Sequence, residues 1–141
     1  MTRPLAFTAL FGALALSSPA QAEIPAGAVP ADEAQLRQFR WEARPLLVFA
    51  PSVEDPRLAA QMTAFRDAAE DLADRDMPVL VDTDPAAESA LRRGIGPEDA
   101  VVVLIGKDGG VKYRGAAPVP VSELLDLVDG MPMRQSEISP R

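Results

Sequence analysis

The stretch "LLVFAPSVEDPRLAAQM", residues 46–62, decides the fold. With Pro45 in front, Pro45–Ala50 is a continuous apolar run closed by Pro51. Such a short bounded run fits a fully buried strand. The chain then turns, and Asp55 followed by Pro56 reads as an N-cap with proline at the first helical position. Leu58, Met62, Phe65, Ala69 and Leu72 recur at spacings of four, three, four and three. That stripe predicts a helix over Pro56–Arg75 with one face on a sheet. Arg66, Asp67, Glu70, Asp71 and Asp74 form its solvated face.

Downstream, Met77-Pro78 ends the helix and "VLVD", residues 79–82, predicts a second strand. A short helix is expected over Pro85–Arg93, capped by Asp84 and ended by Gly94. "AVVVLIG", residues 100–106, is β-branched and apolar, as a central strand requires. "KDGG", residues 107–110, has the Asp-Gly step of a tight hairpin, and Val111–Arg114 returns as the fourth strand. Pro120–Asp129 predicts a last helix with Leu124, Leu125 and Val128 inward. Upstream, Asp32 is the expected N-cap of a helix to Arg40, with Leu36 and Phe39 on one face. Trp41, the only tryptophan, is expected as a core or rim anchor.

The order is therefore β-α-β-α-β-β-α. A helix joining the first two strands implies a right-handed parallel crossover. The tight turn makes the last two strands antiparallel. The expectation is a mixed four-stranded sheet in the order 2-1-3-4, with strand 3 antiparallel to strand 1 and helices on both faces. No internal repeat or second domain is visible.

The N-terminus reads as a targeting segment. Arg3 precedes an apolar run, Leu5–Leu16, and Ala20-Gln21-Ala22 is a small-residue cleavage pattern. The run is shorter than the roughly 20 residues a membrane span needs. Cleavage after Ala22 is expected, with a periplasmic or secreted product and no stable membrane insertion. The expected organisation is a signal peptide at 1–22, a flexible leader at 23–35, one domain at 36–134 and a tail at 135–141. The mature chain would hold 119 residues, 13 basic and 21 acidic, net −8. That balance argues against nucleic acid, whose phosphates demand a basic footprint. There is no cysteine, so export brings no disulfide. There is no histidine, so the commonest general base and metal ligand is missing.

The element order is that of the thioredoxin fold. The segments "FRWEARPLLVFAPS", "DPRLAAQ", "LIGKDGGVKYR" and "DGMPMRQSE", spanning residues 39–137, resemble a bacterial family known as domain of unknown function 4174. That family is related to peroxiredoxin-like domains found in some extracellular matrix proteins. The resemblance implies a thioredoxin-like fold and an exported location, and it implies no activity. Thioredoxins carry Trp-Cys-Gly-Pro-Cys after the first strand. On this chain that motif falls on Val53-Glu54-Asp55-Pro56-Arg57, with Glu54 and Arg57 in the cysteine positions. Thiol–disulfide exchange and peroxide reduction both need a thiolate, so cysteine-based redox chemistry is excluded for this chain. The family fold's cis-proline slot falls near Asp99 or Ala100, and the nearest proline is Pro97.

No pattern assigns a catalytic group, a cofactor or a metal. Glu54 and Asp55 sit where a helix N-terminus favours negative charge, and Arg57 is spaced to pair with Glu54. Ser52 could act as a nucleophile only with Lys107, Lys112 or a carboxylate as activator. The expected function is a binding or interaction module for a periplasmic protein or peptide. Its candidate edge is Pro51, Ser52, Val53, Glu54, Asp55, Arg57 and Pro97. The alternative is a non-thiol enzyme or a Ca²⁺ protein using carboxylates near Glu54 or at Asp82, Asp84 and Glu88, since Ca²⁺ takes oxygen ligands. Met131 and Met133 could offer thioether sulfur to a soft ion, or could pack in the core or cover the sheet edge.

Overall fold

A computed structural model of the protein describes residue 25 and residues 27–139. The expected signal peptide and its cleavage site lie outside the described residues. The elements run β1 (Val29–Pro30), α1 (Glu33–Phe39), β2 (Leu46–Phe49), α2 (Pro56–Asp67), α3 (Ala69–Asp74) and β3 (Val79–Asp82). A 3-10 turn (Pro85–Ala87), α4 (Ala90–Ile95), β4 (Val101–Ile105), β5 (Val111–Ala116), α5 (Val121–Asp129) and α6 (Pro132–Ile138) complete the order.

The sheet has five strands in the order β1-β3-β2-β4-β5, which corrects the expected four. The added strand is β1, parallel to β3, with the Ala31 amide donating to Val81 O at 3.0 Å. Two residues of the expected flexible leader are thus held at the sheet edge by backbone bonds that carry no side-chain signal. The other four strands pair as expected: β2 is parallel to β3 and antiparallel to β4, and β4 is antiparallel to β5.

Every residue of β2, β3 and β4 is buried. Their side chains alternate between two cores, as the period of two along a strand requires. Leu46, Val48, Val79, Val81, Val102 and Leu104 meet Leu58, Met62, Phe65, Leu72, Leu124 and Val128 from α2, α3 and α5. Leu47, Phe49, Leu80, Val101, Val103 and Ile105 meet Leu91, Leu36 and Phe39 from α4 and α1. Both faces are therefore covered by helices. The edge strand β5 exposes Lys112 and Arg114, charges that discourage pairing with another chain.

Several local expectations change. The helix expected over 56–75 breaks at Ala68 into α2 and α3, so that Ala68 packs against the core and Ala69 is exposed. The segment after β3 is not one helix. Glu88 takes a left-handed φ of 44°, α4 is capped by Ser89, and Gly96 rather than Gly94 ends it at φ 62°. Asp84 makes no capping bond; its own amide donates to Asp82 at 3.0 Å. Trp41 is 58% exposed, which corrects the expected anchor role. Its φ of 69° turns the chain, and its amide donates to Lys107 O at 2.7 Å. The tail expected from 135 begins inside α6, whose Arg134 is buried. Of its methionines, Met131 packs against the first core and Met133 is 43% exposed. Among the described residues no helix is long and apolar enough to cross a membrane.

Candidate functional site

At the C-terminal end of β2 the backbone leaves the sheet and turns into α2. Asp55 caps that helix by accepting the Arg57 amide at 2.9 Å, with Pro56 in the first helical position. The cap fixes where Arg57 emerges. Its guanidinium donates from Nε to Asp55 Oδ1 at 3.0 Å and from Nη2 to Asp55 Oδ2 at 2.7 Å. From the other side Asp99, two residues before β4, accepts Nη2 on Oδ1 at 2.6 Å and also accepts Nη1. Asp99 holds a left-handed φ of 61°, a conformation aspartate tolerates better than most residues.

The three groups form one unit. The hydrogen bond from Arg57 holds the Asp55 carboxyl at about 2, below its ordinary 3.8. The same guanidinium lowers Asp99, and the two carboxylates raise Arg57 in turn. All three stay ionised across the neutral range. Arg57 therefore pairs with Asp55 and Asp99, not with Glu54 as expected. Glu54 is exposed and, among the described residues, has no cation within ion-pair distance.

The rest of the expected edge is assembled in part. Pro51 is exposed, Ser52, Val53 and Pro97 are half-buried, and Asp55 is buried. The fold brings Asp99 to this edge, a residue that entered the sequence reading only as the cis-proline slot. The peptide before Pro97 is not cis; the cis bond among the described residues is Ala117–Pro118. Ser52 has no lysine to activate it. Lys107 donates to Asp76 and Glu137, and Lys112 to Asp108.

The carboxylates of the calcium alternative do not converge. Arg92 donates to Asp82 Oδ1 at 2.9 Å, while Ser89 and the Asp84 amide donate to the same carboxylate. Among the described residues no group of three acidic side chains is placed to hold a metal. Asp82 is instead an ion-pair partner, with Arg92 lying 5.4 Å from the Phe49 ring centroid.

Two features at the opposite end of the sheet escaped the sequence reading. One is a cavity of about 470 Å³ whose lining includes Phe39, Met62, Phe65, Leu72, Met77 and Val79. The other is an ion network around Arg44. That side chain is 1% exposed, yet Arg44 reads in the sequence only as a residue preceding a strand.

The fold has solved counterparts. A reduced 2-Cys peroxiredoxin of Plasmodium vivax superposes with a TM-score of 0.56 at 16% identity, covering 74% of this chain and 85% of that one. A chloroplastic thioredoxin z superposes with a TM-score of 0.57 at 17% identity, covering 83% of this chain and all of that one. At such identities the likeness shows the thioredoxin-like fold alone. No curated protein matches. A family model, however, matches residues 35–137. The chain belongs to the family described as domain of unknown function DUF4174.

Proposed function

We propose that this chain is an exported, non-redox thioredoxin-like module that binds a protein or peptide at the edge formed by Pro51–Arg57 and Pro97–Asp99. One observation carries the reading. The two cysteine positions of the thioredoxin motif are Glu54 and Arg57, and Arg57 is neutralised by Asp55 and Asp99. The turn and helix start remain, while the groups on them can present charge and shape but cannot exchange sulfur. Glu54 supplies the outward charge, and Pro51 and Pro56 supply exposed apolar surface with little conformational freedom to lose. Export rests on the apolar run Leu5–Leu16 and the Ala20-Gln21-Ala22 pattern.

A photo-crosslinking residue replacing Glu54, in cells, tests the edge, with the same residue replacing exposed Asp71 as control. A discrete protein adduct at 54 and none at 71 is expected. Equal products at both positions, or none at either, would remove the edge from consideration. N-terminal sequencing of the protein recovered from the periplasm tests export, and Glu23 is the expected first residue.

A further inference from the structure

At the end of the sheet away from Arg57, two cations of the domain body converge on one carboxylate of the last helix. Arg44 donates from Nη2 to Glu137 Oε1 at 2.9 Å and from Nη1 to Oε2 at 3.3 Å. Lys107 Nζ donates to Oε1 at 2.6 Å. A two-pronged guanidinium with an ammonium beside it is how proteins recognise a carboxylate.

The holder is rigid. Arg44 precedes β2 and Lys107 follows β4, its antiparallel neighbour, with the Ile105 amide bonded to Pro45 O at 3.0 Å. Arg44 also donates to Arg75 O at 3.0 Å, and Lys107 to Asp76 at 3.1 Å. Both cations thus keep a partner when Glu137 leaves. The occupant is held differently. The seven-residue helix α6 buries only Arg134, and its Met133 and Ile138 are 43% and 54% exposed. Polar contacts dominate its attachment, including Arg134 to Asp74 at 2.7 Å and Gln135 to the Asp129 carbonyl. Beside the pair opens a cavity of about 290 Å³, lined in part by Arg44, Lys107, Lys112, Met131 and Met133. It offers room for more than a carboxylate, with a third cation, Lys112, on its wall, paired there with Asp108 at 2.8 Å.

We infer that Arg44 and Lys107 form a carboxylate-binding site that Glu137 fills from within the chain, and that an external organic carboxylate displaces it. The ligand is a small dicarboxylate or an acidic peptide side chain, whose second group competes with Asp108 for Lys112. Tethering makes Glu137 a competitor at an effective concentration on the order of millimolar or above. The site is therefore masked in the resting chain and admits only ligands that outcompete the tether.

Calorimetric titration of the full chain with glutarate, at constant ionic strength, tests this. E137A is expected to bind glutarate about tenfold or more tighter than the wild type, because the competitor is gone. Adding K107M to E137A should abolish the gain. An E137A protein with a native far-UV spectrum and no tighter binding overturns the inference. So does chloride or sulfate binding E137A as well as glutarate. Should E137A fail to fold, hydrogen exchange of α6 amides in the wild type decides. Faster, saturable exchange in glutarate than in chloride is expected, and equal exchange in both overturns the site. A peptide bearing one glutamate, run in parallel, tells the sources apart by which ligand binds tighter.

Discussion

The Asp82–Arg92 pair supports the strongest stability prediction. Asp82 ends β3 and Arg92 lies on α4, with side chains 8% and 12% exposed. Replacing Asp82 by asparagine keeps the volume and removes the charge. It leaves a guanidinium among Phe49, the Ala50 carbonyl and the Asp82 carbonyl. Breaking a buried pair from one side costs about 3–5 kcal/mol. The two carbonyls still accept from Arg92, so the lower end applies, about 3 kcal/mol. With a urea slope of about 1.5 kcal/mol/M, the midpoint should fall by about 2 M at unchanged slope. The partner change R92M then replaces an unpaired cation by an apolar chain that still covers Phe49. In the D82N background it should recover most of the loss. A D82N midpoint within about 0.5 M of the wild type, at unchanged slope, would refute the assignment of Asp82 as a buried ion-pair partner. A double variant no more stable than D82N would refute the claim that an orphaned charge is the cause.

Three further expectations follow from other sites. R57A should let the Asp55 carboxyl rise from about 2 toward its ordinary 3.8, read by carbon-13 NMR titration, and an unmoved Asp55 would contradict the clamp. Glu137 is pushed up by burial, but hydrogen bonds from Arg44 and Lys107 outweigh this and hold it at about 2, below its ordinary 4.5. A carboxyl depressed by folding contributes stability that is present above about 4.5 and lost as pH falls through about 2. The melting temperature should therefore decline across that window, and E137Q should flatten the decline; parallel curves would disprove the linkage. Trp41 is 58% exposed, with the Arg40 guanidinium 5.7 Å from its ring centroid. Its fluorescence should be red-shifted and readily quenched by acrylamide in the native state, and a blue, protected emission would contradict its placement.

Much of the candidate edge was legible because its signals are local. Asp55-Pro56 announces a helix start within two residues, and the structure uses both as expected. The long-range partner of Arg57 was not legible. Glu54 is three residues away and the right charge, yet Asp99, 42 residues away, shares the guanidinium with Asp55. Sequence spacing measures reach along one helix, whereas Asp99 arrives through the pairing of β4 with β2. The carboxylates around Asp82 mislead for the same reason. Asp82 and Asp84 look like a ligand set along the chain until Arg92 folds back over the first of them.

By itself, the sequence determined the absence of thiol chemistry, the three buried strands and the hairpin, because composition, apolar runs and turn residues act over a few positions. It also determined which helix faces point inward at Leu58, Met62, Phe65, Leu124 and Val128, since helical period is a local property. Tertiary structure alone decided β1, whose pairing with β3 uses backbone groups that every residue carries. It alone decided the burial of Arg44 and its meeting with Glu137, 93 residues on. A charge on a solvated face and a charge in a buried pair are the same letter in the chain. Only the path of the backbone decides whether water or an opposite charge will face it.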